Sequence, residues 1–425
     1  MVDTPAGKAL SLNALQGLSL AELTERARDR GLRIRMESSR HHLIMDILRD
    51  HLLAGGEATA TGFLEMSAEQ GTLRWLEYSL RPCSEDAQIP SALLQPLDLR
   101  PGVLLTCRLG VKNERGLFVT EIVAVEGIPV SEWKAPMDFE KLTPLFPNRR
   151  VFLEAKDNPD LAARAVDLVA PLGMGQRGII AAPPRSGKTI LLRTLAKAIR
   201  KNHPEVCLIL LLVDERPEEV SDFKNELDCE IYASTFDEPV ARHVQVCEAV
   251  CERAKRLVEL GRDVVILLDS ITRMARGYNN LQPSKGGRTM SGGVDAKALA
   301  RPRKFFGSAR NTEEGGSLTI LATALIETQS RMDDLIFEEF KGTGNMEIYL
   351  DRMISDLRIF PAIHIIKSGT RREDLLYHPD EMERVALLRR QLSELPAAEA
   401  METLLVNLRH TKSNVELLMT GLRGV

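Results

Sequence analysis

The 425 residues are 44% hydrophobic and 27% charged, with a net charge of -4, which fits a globular chain and excludes a polybasic nucleic-acid-binding tail as the source of any function. No apolar run approaches the roughly 20 residues that cross a bilayer, and the first thirty residues carry Asp3, Glu22, Glu25 and Asp29 instead of a signal-peptide pattern, so no membrane partner and a cytoplasmic location are expected. The six cysteines contain no C-x-x-C pair; Cys247, Cys251 and His243 can share one helix face, but their spacing is not that of a zinc site, and reduced thiols suit the cytoplasm.

Residues 1–56 read as a helical subdomain. Ser19 is a candidate N-cap for a helix with Leu20, Leu23 and Ala27 on one apolar face, and His41 to Leu53 places Leu43, Ile44, Ile47, Leu48 and Leu52 on one stripe. The arginines between Arg26 and Arg40 read as a solvated face more readily than as a basic lip for RNA. Over residues 57–128 the period shortens. Val103–Cys107 and Leu117–Val123 are strand-like, separated by turn residues at 112–116, and several short strands in so little chain predict a small OB-type β-barrel. Residues 129–150 hold four prolines and predict a linker.

From residue 151 to 425, continuous apolar strands alternate with helices. Strands are expected at 178–181, 207–213, 264–268 and 318–326, with helices at 188–201 and along the stripe from Val240 to Val258. That pattern is a parallel sheet covered on both faces, the α/β class.

The strongest chemical signal is Ala182-Pro183-Pro184-Arg185-Ser186-Gly187-Lys188-Thr189, between a predicted strand and a predicted helix. Such a loop aims backbone N–H groups and a helix N-terminus at phosphate oxygens. Residues Pro183, Pro184, Arg185, Ser186, Gly187, Lys188, Thr189 and Ile190 are expected to hold ATP. Lys188 would reach the β- and γ-phosphates, and Thr189 would bind Mg²⁺. The first glycine of the general pattern is replaced by Ala182. Asp269 ends a strand, where a carboxylate can hold the Mg²⁺ water shell and also cap the next helix. Glu215 ends another and is placed to polarise an attacking water; ligands bind at such strand ends in open α/β sheets.

Longer strings carry a family resemblance. Asp214-Glu215-Arg216-Pro217-Glu218-Glu219-Val220, the run from Ala233 to Pro239, Leu267-Leu268-Asp269-Ser270-Ile271-Thr272-Arg273, and Gly342-Thr343-Gly344-Asn345-Met346-Glu347 resemble the bacterial transcription termination factor Rho family, with a match from about residue 140 to 411. That family's phosphate loop also reads Ala-Pro-Pro. The resemblance implies a RecA-type core in a homohexameric, RNA-dependent ATPase that translocates on single-stranded RNA and dissociates transcription complexes. RNA polymerase and termination cofactors are then implied partners. It implies Glu215 as the catalytic carboxylate, Lys188 and Thr189 on phosphate and Mg²⁺, and Asp269 on the metal side. Arg371 resembles an arginine finger inserted into the neighbouring subunit's site, and Arg216 a second arginine near the γ-phosphate. Phe360 resembles the aromatic that stacks on adenine; by composition alone a core role is as good. Residues 281–294, with Lys285 and Arg288, and residues 328–331, with Ser330 and Arg331, resemble the loops lining a central RNA channel. The first loop is one residue longer than the family pattern and differs in its basic positions.

The N-terminal third departs further. The family's barrel grips RNA with a Gly-aromatic-Gly-Phe motif, and the corresponding stretch here is Gly71-Thr72-Leu73-Arg74-Trp75-Leu76. Arg74, Trp75 and Tyr78 are the remaining candidates for RNA contact, although Trp75 has the parity of a core residue. Residues 57–126 carry ten acidic and six basic side chains, which opposes a phosphate backbone. Two alternatives therefore stand beside the termination factor: a related ring ATPase with a weakened primary RNA site that depends on a partner, and a rotary ATPase-type subunit, against which the channel loops and the 214–220 string argue.

Overall fold

The computed structural model describes residues 9–34, 38–67, 70–112, 116–155, 160–282, 293–295 and 297–422. It divides the chain into two compact units, Met1–Met137 and Asp138–Val425.

In the first unit, helices α1 (Leu12–Gln16), α2 (Leu20–Asp29) and α3 (Arg40–Leu53) precede strands β1 (Ala58–Met66), β2 (Gly71–Arg74), β3 (Ala87–Ile89), β4 (Leu104–Lys112) and β5 (Gly116–Val125). Ser19 and Ser39 start α2 and α3 with reciprocal capping boxes, so the backbone N–H groups at these helix starts have partners. The strands run in the spatial order β1-β2-β3-β5-β4, and β4 pairs back to β1, closing a five-stranded OB-like barrel. Leu23, Ala27, Ile44, Leu48, Leu73, Trp75 and Leu105 share its core with the helices.

The second unit is built on a mostly parallel sheet. Its strands are β6 (Arg177–Ala182), β7 (Cys207–Glu215), β8 (Glu230–Thr235), β9 (Asp263–Asp269), β10 (Ser317–Leu325), β11 (Met346–Tyr349) and β12 (Gly369–Thr370). The order across the sheet is β8-β7-β9-β10-β6-β11-β12, with only β12 antiparallel in that run. Helices that bear on the site are α4 (Leu161–Val169), α5 (Lys188–Asn202), α6 (Pro217–Glu226), α7 (Val240–Glu259), α8 (Ile271–Asn280) and α10 (Arg331–Lys341), with α9 (Ala300–Gly307) between the last two. Leu208 to Val213 and Val264 to Leu268 are buried without interruption, as strands covered on both faces require.

The expected linker is not free chain. Phe139 is wholly buried in the second unit, its N–H donates to Glu259 Oε1 at 2.8 Å, and the Arg310 guanidinium lies 4.8 Å from its ring centre. Pro144–Leu145 adds a short antiparallel pairing to Asn311 and Thr312. Prolines broke the periodicity without preventing burial, which is why this stretch read as a connector.

Candidate active site

Three strand ends meet at the C-terminal edge of the parallel sheet. Register sets Leu212 beside Asp269, Leu268 beside Ala322 and Ala182 beside Leu325, so β6, β7 and β9 finish within a few residues of one another at one edge. After Ala182 the chain turns through Arg185 (φ +67°) and Gly187 (φ +86°) into α5. The Ser186 hydroxyl donates to the Pro183 carbonyl at 2.8 Å and holds the turn. A Cβ on Gly187 would lie 3.3 Å from the Phe360 ring, so glycine satisfies both the left-handed backbone and the close aromatic cover.

A cavity of about 300 Å³ opens there, lined by Ser186, Gly187, Ile190, Thr194 and Phe360 among others. Phe360 is 43% exposed and Ile190 68% exposed. A flat ring and an aliphatic chain beside a phosphate-type loop form a slot suited to a purine base.

The charged groups sit on the far side of that loop. Lys188 Nζ is ion-paired with Asp269 Oδ1, which also accepts from the Thr323 hydroxyl at 2.8 Å. Asp269 is buried, and its Oδ2 has no hydrogen-bond partner among the described residues. An orphaned carboxylate oxygen in a buried site is costly until a donor or cation meets it. The residues therefore fit a hydrated Mg²⁺: Asp269 Oδ2 is open, and the Thr189 hydroxyl, 3.5 Å from Glu219 Oε2, is held only loosely.

Glu215 owes its position to a bulge. Val213 pairs with Ser234 and Glu215 with Thr235, leaving Asp214 (φ +56°) as the extra residue that re-aims the strand end. Glu215 is 3% exposed, with its carboxylate 3.3 Å from Arg273 Nη1. Burial raises its pKa and outweighs the pull of Arg273; Asp269 adds to the rise. The corner is braced from behind by Arg273, which also donates to the Asp214 carbonyl, and by Ser234, 2.9 Å from His243 Nδ1. Arg216 is the exposed N-cap residue of α6.

Arg371 lies elsewhere. It follows β12, its N–H donates to the Asn345 carbonyl at 2.8 Å, and Asn345 N–H donates to the Arg177 carbonyl at 2.9 Å. Arg177 begins β6, whereas the phosphate loop follows its end. Five residue steps of about 3.3 Å thus separate the level of Arg371 from the loop, some 16 Å along the sheet. The Arg371 side chain is exposed.

The expected channel residues divide. Lys285 and Arg288 lie outside the described residues. Ser330 caps α10, and Arg331 is exposed at its first position. Sequence reading missed the connection between this loop and the site. Helix α8 starts directly after Asp269, and Arg276 on it binds the buried Asp333 of α10 through two hydrogen bonds of 2.9 and 2.6 Å. Thr328 donates to the same carboxylate at 2.6 Å. Arg273 and Arg276 follow Asp269 by four and seven residues, a helical spacing visible in the sequence had the acid been taken as the start of the series. Thr323, a polar residue within an apolar strand, was the other available signal.

In the first unit, one assignment is corrected. Trp75 is wholly buried in the barrel core and offers no face to a base. Gly71 and Leu73 are also buried, while Thr72 and Arg74 alternate onto the outer face. Arg74 is held by Glu65 at 2.5 Å and by Asp86, so its charge is already matched. Tyr78 is half-buried, edge-on to His41 with ring centres 5.1 Å apart.

No helix among the described residues is long and apolar enough to cross a membrane. Residues 162–370 match the ATP synthase alpha/beta family, nucleotide-binding domain. Among solved structures, a prototypical ATPase from the type III secretion system of pathogenic bacteria shares the fold, with a TM-score of 0.55 at 20% identity over 65% of this chain and 85% of that one. Whole-chain relatives are far nearer. Proteins named transcription termination factor Rho from Akkermansia muciniphila (49% identical, 99% of this chain, 89% of the relative) and Aquifex aeolicus (48%, 97% and 95%) align almost end to end. The one from Pseudomonas aeruginosa does so at 47%, over 96% of this chain and 98% of its own length. Similarity of that extent, over a core that carries Lys188 behind its phosphate loop and Glu215 and Asp269 at strand ends, places the chain in the transcription termination factor Rho family as a nucleotide-binding ATPase.

Proposed function

We propose that this chain is an RNA-dependent ATPase that works as a homohexameric ring, draws single-stranded RNA through its centre and dissociates transcription complexes. The observation that carries the ring is the placement of Arg371. It sits at the opposite end of the sheet from its own phosphate loop, so it can reach a γ-phosphate only on another subunit. Its guanidinium would then meet the charge that develops on the transferring phosphoryl group.

Within one subunit, Pro183 to Ile190 wrap the triphosphate, Phe360 covers adenine, and Lys188 leaves Asp269 to contact the β- and γ-phosphates. Thr189 and Asp269 would hold Mg²⁺, which supplies charge neutralisation when bound. Glu215 accepts a hydrogen bond from the attacking water and directs its lone pair at phosphorus. Arg216 stands near the γ-phosphate from the neighbouring turn. RNA meets Lys285, Arg288, Ser330 and Arg331. The Asp333–Arg276–Thr328 network supports coupling of the channel loops to the Asp269 corner through α8.

One specific observation favours a weakened primary RNA site. The outward positions of β2 are Thr72 and a neutralised Arg74, and Arg108 likewise faces two carboxylates, Glu57 at 2.9 Å and Glu121 at 3.1 Å. Each lost base–aromatic stack is worth about 1–3 kcal/mol. A fragment of residues 1–137 is therefore expected to bind cytosine-rich RNA only in the roughly 10⁻⁴–10⁻⁶ M range of non-specific contacts. Fluorescence anisotropy measures this, and tight, salt-resistant binding would restore the ordinary primary site. The ring proposal itself is tested by the RNA dependence of ATP hydrolysis.

A further inference from the structure

Among the described residues, one group of three metal-ligating side chains stands apart from the nucleotide site: His41 on the first turn of α3, with Cys83 and Glu85 between β2 and β3. We propose that His41 Nδ1, Cys83 Sγ and a Glu85 carboxylate oxygen form a site for a thiophilic divalent cation of the Zn²⁺ class, fastening α3 to the barrel.

The three ligand atoms lie within 4.8 Å of one another. Bonds of about 2.0–2.3 Å in a tetrahedron set ligand atoms roughly 3.3–3.8 Å apart, so shifts of about 1 Å complete the geometry. Glu85 is wholly buried and already aimed: Gln16 Nε2 donates to its Oε2 at 2.8 Å, leaving Oε1 2.7 Å from His41 Nδ1. Outer partners of this kind orient ligands in metal sites. Tyr78 braces the imidazole edge-on. The His41 side chain is 41% exposed, which provides an entry path and leaves a fourth position to water.

Charge also favours a cation. The Cys83 thiol donates to Asp86 Oδ1 at 3.4 Å; Arg74 already pairs with Asp86, so the negative charge offered to a cation is that of Glu85. Burial, then Asp86 and Glu85, push the thiol up to about 12. Metal binding releases the thiol proton to solvent. Mixed nitrogen, sulfur and oxygen donors suit Zn²⁺ or Co²⁺ and not Mg²⁺ or Ca²⁺. The ligands share no short motif, because the helix and the barrel loop that supply them are distant in sequence.

The test is a Co²⁺ titration of the full-length protein, stripped with chelator and kept in Mg²⁺ buffer, reading the near-ultraviolet thiolate-to-Co²⁺ band. One equivalent per chain is expected, displaced by Zn²⁺. Cys83→Ser should abolish the band while the ATPase rate stays at the parent value, showing an intact fold. His41→Ala should weaken binding by about tenfold or more, at least the effect of losing an outer partner. Absence of the band, or a band unchanged in Cys83→Ser, would reduce the cluster to a His41–Glu85 ion pair beside a neutral thiol.

Discussion

Glu215→Gln is expected to lower ATP turnover by about 10²–10⁴-fold, the usual worth of a positioned general base, while nucleotide binding stays near the parent affinity. The side chain is buried beside Arg273 and faces Asp269 and Lys188 across the site. In the proposed mechanism it acts on the water and not on the triphosphate, so removing its charge takes a repulsion away from the phosphates. The pH profile carries a second signature. Because burial holds the Glu215 pKa above the ordinary carboxylate value, the ionised form is lost as pH falls through that raised pKa. Hydrolysis should therefore decline at a pH above the usual glutamate range, and the Gln variant should lack that acid limb. Single-turnover phosphate release and fluorescent-nucleotide titration separate the two effects. A Gln variant that hydrolyses at the parent rate would remove Glu215 from the chemistry.

Arg371→Ala should cost about 10³–10⁵ in rate, the range of arginine fingers, and the loss should be repairable in trans. Arg371 hangs from the start of β11 through Asn345, and in the proposed ring it serves the site of a neighbouring subunit. Mixing Arg371→Ala chains with Lys188→Ala chains creates junctions in which an intact phosphate loop meets an intact Arg371. Activity should reappear in the mixture although each variant alone is inactive. A mixture as inactive as its components would confine Arg371 to its own subunit or to a structural role.

Features encoded locally were legible in the sequence. The phosphate loop, Asp269 and Glu215 each sit at a strand–loop junction, and apolar runs marked the strands within a residue or two: the strand read as 207–213 is Cys207–Glu215, and the one read as 264–268 is Asp263–Asp269. Strand parity also warned that Trp75 faces inward. What escaped depends on long-range placement. Arg276 meets Asp333 across 57 residues, and His41 meets Glu85 across 44. Residues 129–150 read as a linker because their four prolines hide how deeply Phe139 is anchored. The bulge at Asp214, which aims Glu215, is a backbone event with no side-chain signature.

The most direct measurement is the ATPase rate of the full-length protein with and without saturating cytosine-rich RNA. The account predicts strong stimulation, reached at high RNA concentration because the barrel adds little grip while the channel loops drive the site. A rate that is measurable but indifferent to RNA at any concentration would contradict it.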